Sequence, residues 1–168
     1  MDKEQKNVTN VYAALTVSLL MSFVPVASAA LFSLLLFLGV WITAYILRGK
    51  AETGSLTADH MSFIIRTIWI TGLFSLITMG IATAYILNVY DPMVLINCVG
   101  PISSTDMAAI EAAVKPCIGE FMHANMPYFI KGAVIAGGPL VVYMAYRLAK
   151  GISRASKGHR VGDLKSWF

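Results

Sequence analysis

Apolar residues run along this chain in long unbroken blocks and do not alternate with polar ones. From Val8 to Leu47 there is no charged side chain. A membrane-spanning helix needs about 20 mostly apolar residues, because the hydrocarbon layer is roughly 30 Å thick and each helical residue rises about 1.5 Å. As one straight helix, Val8 to Leu47 would reach about 60 Å, so the chain must turn back. Pro25, in Phe23-Val24-Pro25-Val26-Ala27-Ser28, is the turning point, since proline lacks the amide donor and clashes with the preceding turn. The pattern predicts a first helix over residues 8–23, short for a span, and a second over 28–48. A third block runs over 61–87, with Thr57 or Asp59 available to cap its amino end. The last covers 127–149, with Pro127 in a tolerated first-turn position and Gly137-Gly138-Pro139 predicting a kink. The expectation is an all-α, polytopic bundle of four transmembrane helices forming one membrane domain over residues 1–168.

One long connection, residues 88–126, separates the third and fourth blocks. It holds Cys98 and Cys117, the two cysteines of the chain. On the oxidising side of a membrane such a pair closes a disulfide, and a loop of about 20 residues gains on the order of 3 kcal/mol from closure. Two unpaired thiols are the plainer alternative. Ser104-Thr105-Asp106 reads as a helix start, and Met107, Ile110, Val114 and Ile118 follow at helical spacing, with Glu111 and Lys115 paired on another face. This predicts a short amphipathic helix, ended or bent by Pro116, lying on the membrane surface or offered to a partner.

Composition supports the membrane reading. Of 168 residues 57% are hydrophobic and 13% charged, with a mean hydropathy of +0.70. Soluble domains carry about a quarter charged residues. The net charge of +4 is sorted by position. With both termini cytoplasmic, Lys3, Lys6, Arg48, Lys50, Arg147, Lys150, Arg154, Lys157, Arg160 and Lys165 lie inside, with Arg66 near the inner end of the third span. Lys115 and Lys131 fall outside. The orientation is that of a multi-pass membrane protein, and the expected location is the bacterial inner (cytoplasmic) membrane. Its basicity serves insertion and anionic lipid on the inner face, not nucleic acid. Residues 1–29 also resemble a signal peptide ending Ala27-Ser28-Ala29, but Asp2 and Glu4 and the continuing apolar run count against cleavage.

The candidate chemistry is sparse. His60, His123 and His159 fall at the inner boundary, in the outer loop and in the tail, which does not suit two axial haem ligands at matching depth. No catalytic triad, phosphate loop, metal motif or intramembrane carboxylate pair is legible, so neither catalysis nor a cofactor or metal is expected. Arg66 is the notable intramembrane charge. It either snorkels to the inner headgroups or pairs with Asp59, Glu52 or Asp163. Thr67, Thr71, Ser75, Thr78 and Ala82 form a small and hydroxylated stripe that suits helix packing more than a polar conduit. Tyr12, Tyr45 and Tyr146 are placed at the inner interface. In the tail, Arg154, Lys157 and Arg160 with Trp167 and Phe168 predict anchoring along the cytoplasmic surface or in a partner groove.

Two segments carry a resemblance. Arg66-Thr67-Ile68-Trp69-Ile70, opening a span after a polar loop, resembles an R-T-[FI]-W-I pattern. Tyr146-Arg147-Leu148-Ala149-Lys150-Gly151, followed by a polar tail ending Ser166-Trp167, resembles Y-R-[IL]-x-[RK]-G…W. Both resemble small four-helix bacterial membrane proteins of unknown function, distantly similar to a chloroplast inner-envelope import component. The resemblance spans residues 28–87 and 140–168 and implies a fold; the long cysteine-bearing loop departs from it. The function expected is that of a non-enzymatic membrane protein, a structural or accessory subunit bound to a membrane-protein partner or to its own copies. A translocation or small-solute conduit formed by an oligomer is the alternative.

Overall fold

The computed structural model describes residues 2–101 and 105–161. All regular structure among them is helical: α1 Lys3–Met21, α2 Ala27–Lys50, α3 Leu56–Val89, α4 Met93–Val99 and α5 Met107–Ser156. Three of these, α2, α3 and α5, are long and apolar enough to cross a membrane. The first helix is not among them, because Lys3, Glu4 and Lys6 belong to its opening turns. Asp2 caps α1 by accepting a hydrogen bond from the Lys3 amide.

Pro25 forms the α1–α2 turn, in which the Val26 amide donates back to the Val24 carbonyl at 2.8 Å. Between α2 and α3 the chain reverses through Gly54, at φ +83°, a backbone region that glycine enters without steric cost. Ser55, not Thr57 or Asp59, caps α3: its hydroxyl accepts from the Ala58 amide at 3.2 Å.

The 50-residue α5 corrects the expected outer loop. Residues 107–118 do not form a separate amphipathic helix: they and the stretch over residues 127–149 expected as a fourth span belong to one continuous helix. Pro116 and Pro127 lie inside it. Pro139 lies inside it too, and two tertiary ties are made between the first two prolines. Cys117 is bonded to Cys98 of α4, and the Asn125 side chain clamps the α3–α4 turn. Asp106 opens α5, accepting from the Ala108 amide, whereas Ser104 lies outside the described residues. At the far end Gly158 takes φ +67°, the His159 amide donates to the Arg154 carbonyl and the Gly158 amide to that of Ala155. This is the Schellman arrangement, and it turns the chain back after Ser156.

The chain divides into two compact units, residues 1–73 with 141–168, and residues 74–140. In the first, α1 buries Val8, Val11, Tyr12, Leu15 and Ser18, the three- and four-residue spacing of one helix face. Met61, Phe63, Ile64 and Ile68 of α3, Val40 and Ala44 of α2, and Leu148 and Ala155 of α5 complete that core. In the second, Gly132 lies so close to Ile86 that a Cβ there would meet its side chain at 2.7 Å. Tyr90, Phe121 and Phe129 stack edge to face beside the disulfide-tied turn.

Candidate functional site

Three polar clusters of the first unit are built on α3. The first lies at the start of α3. Asp59, buried, forms an ion pair with Arg160, which has come round from the end of α5 to lie over Gly54. The carboxylate holds the Arg160 guanidinium above its ordinary range, by the hydrogen bond first and by its charge second. Arg154 donates to the Arg160 carbonyl at 3.2 Å, and Val161 is buried. Asp59 is one of three acids expected as a partner for Arg66. Two turns of helix separate those residues, and the carboxylate is taken by a cation from another element.

The next residue, His60, is fully buried and joins three elements. Its Nε2 lies 3.0 Å from the His159 carbonyl, and its Nδ1 lies 3.1 Å from the Tyr12 hydroxyl. A carbonyl oxygen only accepts, so Nε2 carries the proton, and Nδ1 accepts from Tyr12 in turn. Both ring nitrogens of a neutral imidazole are thus satisfied. Tyr12, placed by its sequence position in an interfacial belt, is instead 1% exposed and belongs to this network.

In the third cluster, Arg147 is 1% exposed. Its guanidinium lies 3.7 Å over the Phe63 ring, and its Nε donates to the Thr67 hydroxyl at 3.0 Å. Thr67 passes the bond on, donating to the Phe63 carbonyl at 2.7 Å. A planar cation on an aromatic face with a directed hydrogen bond is an arginine arrangement that lysine does not reproduce. The gap bounded by Tyr12, Phe63, Thr67, Arg147 and Leu148 has no room for a water molecule. A second recess of about 290 Å³ lies between α1 and α2; the polar lining groups Ser18 and Ser33 are joined there, the Ser33 hydroxyl donating to the Ser18 carbonyl.

The remaining expected residues fall as follows. Cys98 and Cys117 are disulfide-bonded, with Cα atoms 5.6 Å apart. Of the α3 stripe, Thr67 and Thr71 lie in the first unit, where Thr71 donates to the Met144 sulfur. Ser75, Thr78 and Ala82 lie in the second, with Thr78 and Ala82 buried. Arg66 is half-buried on α3. In the tail Arg154 and Arg160 are engaged within the chain and Lys157 is exposed, while Asp163, Lys165, Trp167 and Phe168 lie outside the described residues.

Glu4, Tyr12, His60, Arg147 and Asn125 organise these contacts, a role that sequence reasoning assigned to none of them. Glu4 accepts from the Thr57 amide at 2.7 Å, so a carboxylate from α1 sits at the positive end of α3. For Arg147 the available signal was its place in the Tyr146-Arg147-Leu148 motif. No family model, curated protein or solved structure matches this chain.

Proposed function

We propose that this protein is a non-enzymatic integral membrane protein, a structural or accessory subunit of a larger membrane complex. The reading includes α1 as a fourth membrane helix, hairpinned on α2. It places both termini in the cytoplasm of a bacterium, on the side where the cations at the ends of α2 and α5 belong. The likeness to small four-helix bacterial membrane proteins, and distantly to an envelope import component, fits this reading.

The observation that carries it is the use made of the buried polar groups. Arg147 with Thr67, His60 with Tyr12, and Asp59 with Arg160 each tie one element to another. Such groups specify how helices assemble, which is the task of a scaffold. In the second unit α3 offers an apolar face, with Leu76, Ile77 and Ile81 all more than half exposed, where lipid or a partner helix packs. A photo-crosslinking amino acid placed at Leu76 in living cells tests the reading. We expect discrete adducts with one membrane protein. Adducts with lipid alone, from Leu76 and from equally exposed Val142, overturn it.

A further inference from the structure

The ends of four helices gather at one place in the first unit. Glu4 near the start of α1 bonds the start of α3, and Gln5 donates to the Ser156 carbonyl at the end of α5 at 2.7 Å. The end of α2 joins α3 through the short turn over residues 51–55. This end is rich in cations, and its carboxylates are mostly committed elsewhere. Asp2 caps α1, Glu4 caps α3 and Asp59 holds Arg160. Lys3, Lys6, Arg48, Lys50 and Lys157 are exposed and make no ion pair among the described residues. About a turn and a half before Lys50, exposed Tyr45 accepts a hydrogen bond from the Trp69 indole at 2.9 Å, and Trp41 stacks edge-on against Trp69. Aromatic rings of this amphipathic kind sit at the headgroup level of a bilayer.

From this arrangement we infer that Lys3, Lys6, Arg48, Lys50 and Lys157 form a binding rim for the phosphate headgroups of anionic phospholipids. The inference rests on the membrane placement proposed above. It assigns the work to the ends of α1 and α2 together with Lys157, and not to Arg154 and Arg160, which are spent within the chain. The chemistry is that of five exposed cations facing a layer of phosphodiesters, with Asp2, Glu4 and Asp59 engaged within the chain and the exposed Glu52 beside Lys50 leaving the cations in excess. Each cation near an anionic surface contributes about fivefold in binding. The attraction falls with salt, since exposed charges are screened over about 10 Å at 0.1 M ionic strength.

The test uses the purified full chain, equilibrated in detergent with equal amounts of phosphatidylglycerol and phosphatidylcholine, and counts retained lipid by mass spectrometry. We expect phosphatidylglycerol to be retained over phosphatidylcholine by tenfold or more. Changing all five residues to glutamine brings the ratio near one, whereas Lys115→Gln with Lys131→Gln leaves it unchanged. Should the fivefold variant not fold, the Lys3→Gln/Lys6→Gln and Arg48→Gln/Lys50→Gln pairs each lower the ratio in part. A ratio near one for the unaltered chain, or one that the five changes leave intact, overturns the proposal. Incorporation into pure phosphatidylcholine vesicles is measured alongside. A chain that enters them and resists carbonate extraction, yet shows no lipid preference, fails this inference alone. A chain that does not enter them fails the membrane reading itself.

Discussion

The ring of Tyr12 occupies the space that a side chain at position 151 would need. A Cβ built on Gly151 falls 2.5 Å from the Tyr12 ring and hydroxyl, well inside contact distance. Tyr12 is held there by its bond to His60, so α1 and α5 approach as closely as glycine permits. Gly151→Ala is therefore expected to destabilise the protein by about 1–3 kcal/mol, the usual cost of overpacking. Thermal unfolding in detergent measures it, with Gly39→Ala as the open-space control. Adding Tyr12→Leu restores part of the loss; equal stability of Gly151→Ala and the parent protein refutes the close approach.

Removing the hydroxyl alone probes the histidine. Tyr12→Phe leaves His60 Nδ1 buried without its donor, which costs about 1–3 kcal/mol, while the ring still fills its place. The same unfolding assay applies. Tyr12→Phe matching the parent would mean that the hydroxyl bond adds nothing.

Arg147→Lys is expected to cost about 2–4 kcal/mol despite keeping the charge, because an ammonium cannot both cover the Phe63 ring and reach Thr67. At Arg66 the expectation is the reverse. Arg66→Leu removes the charge and is expected to impair folding more than Arg66→Lys, which keeps it. If lysine fails at position 66 as badly as leucine, Arg66 is held by a specific bidentate partner.

The disulfide is tested by thiol labelling of denatured, unreduced protein, in which Cys98 and Cys117 should not react. Two reactive thiols disprove the bond. The segment after Ser156, held at α3 by the Asp59–Arg160 pair, is tested by proteolysis of the full chain in detergent. Asp59→Asn removes the partner of Arg160, so proteolysis after Lys157 should quicken severalfold relative to the parent chain. Equal rates would show that the ion pair does not hold the segment.

Much of the helical layout was legible. Uninterrupted apolar blocks read as α2, α3 and the inner part of α5, because hydrophobicity over 20 residues is a local property that the bilayer dimension makes decisive. Pro25 was legible as a turn for the same local reason. The length of α5 was not. Pro116 and Pro127 each argue for a break by local rules, yet the helix runs through both, beside a disulfide to a cysteine 19 residues earlier and a clamp from Asn125 to a distant turn. The site was less legible still. Arg147 counts as one more inner cation until the fold sets Phe63 and Thr67 around it. Tyr12 fits an interfacial belt as well as a core position. Glu4 caps a helix 53 residues away, beyond any local pattern.

The central claim is that this membrane protein serves as a fixed part of a larger complex. Its most direct test is purification of the full chain from native membranes in mild detergent, with absolute quantitation of whatever copurifies. The account predicts one membrane-protein partner at constant stoichiometry through successive columns. Recovery of the chain free of any partner, joined with solute flux through vesicles containing the purified protein alone, would contradict it and favour a conduit.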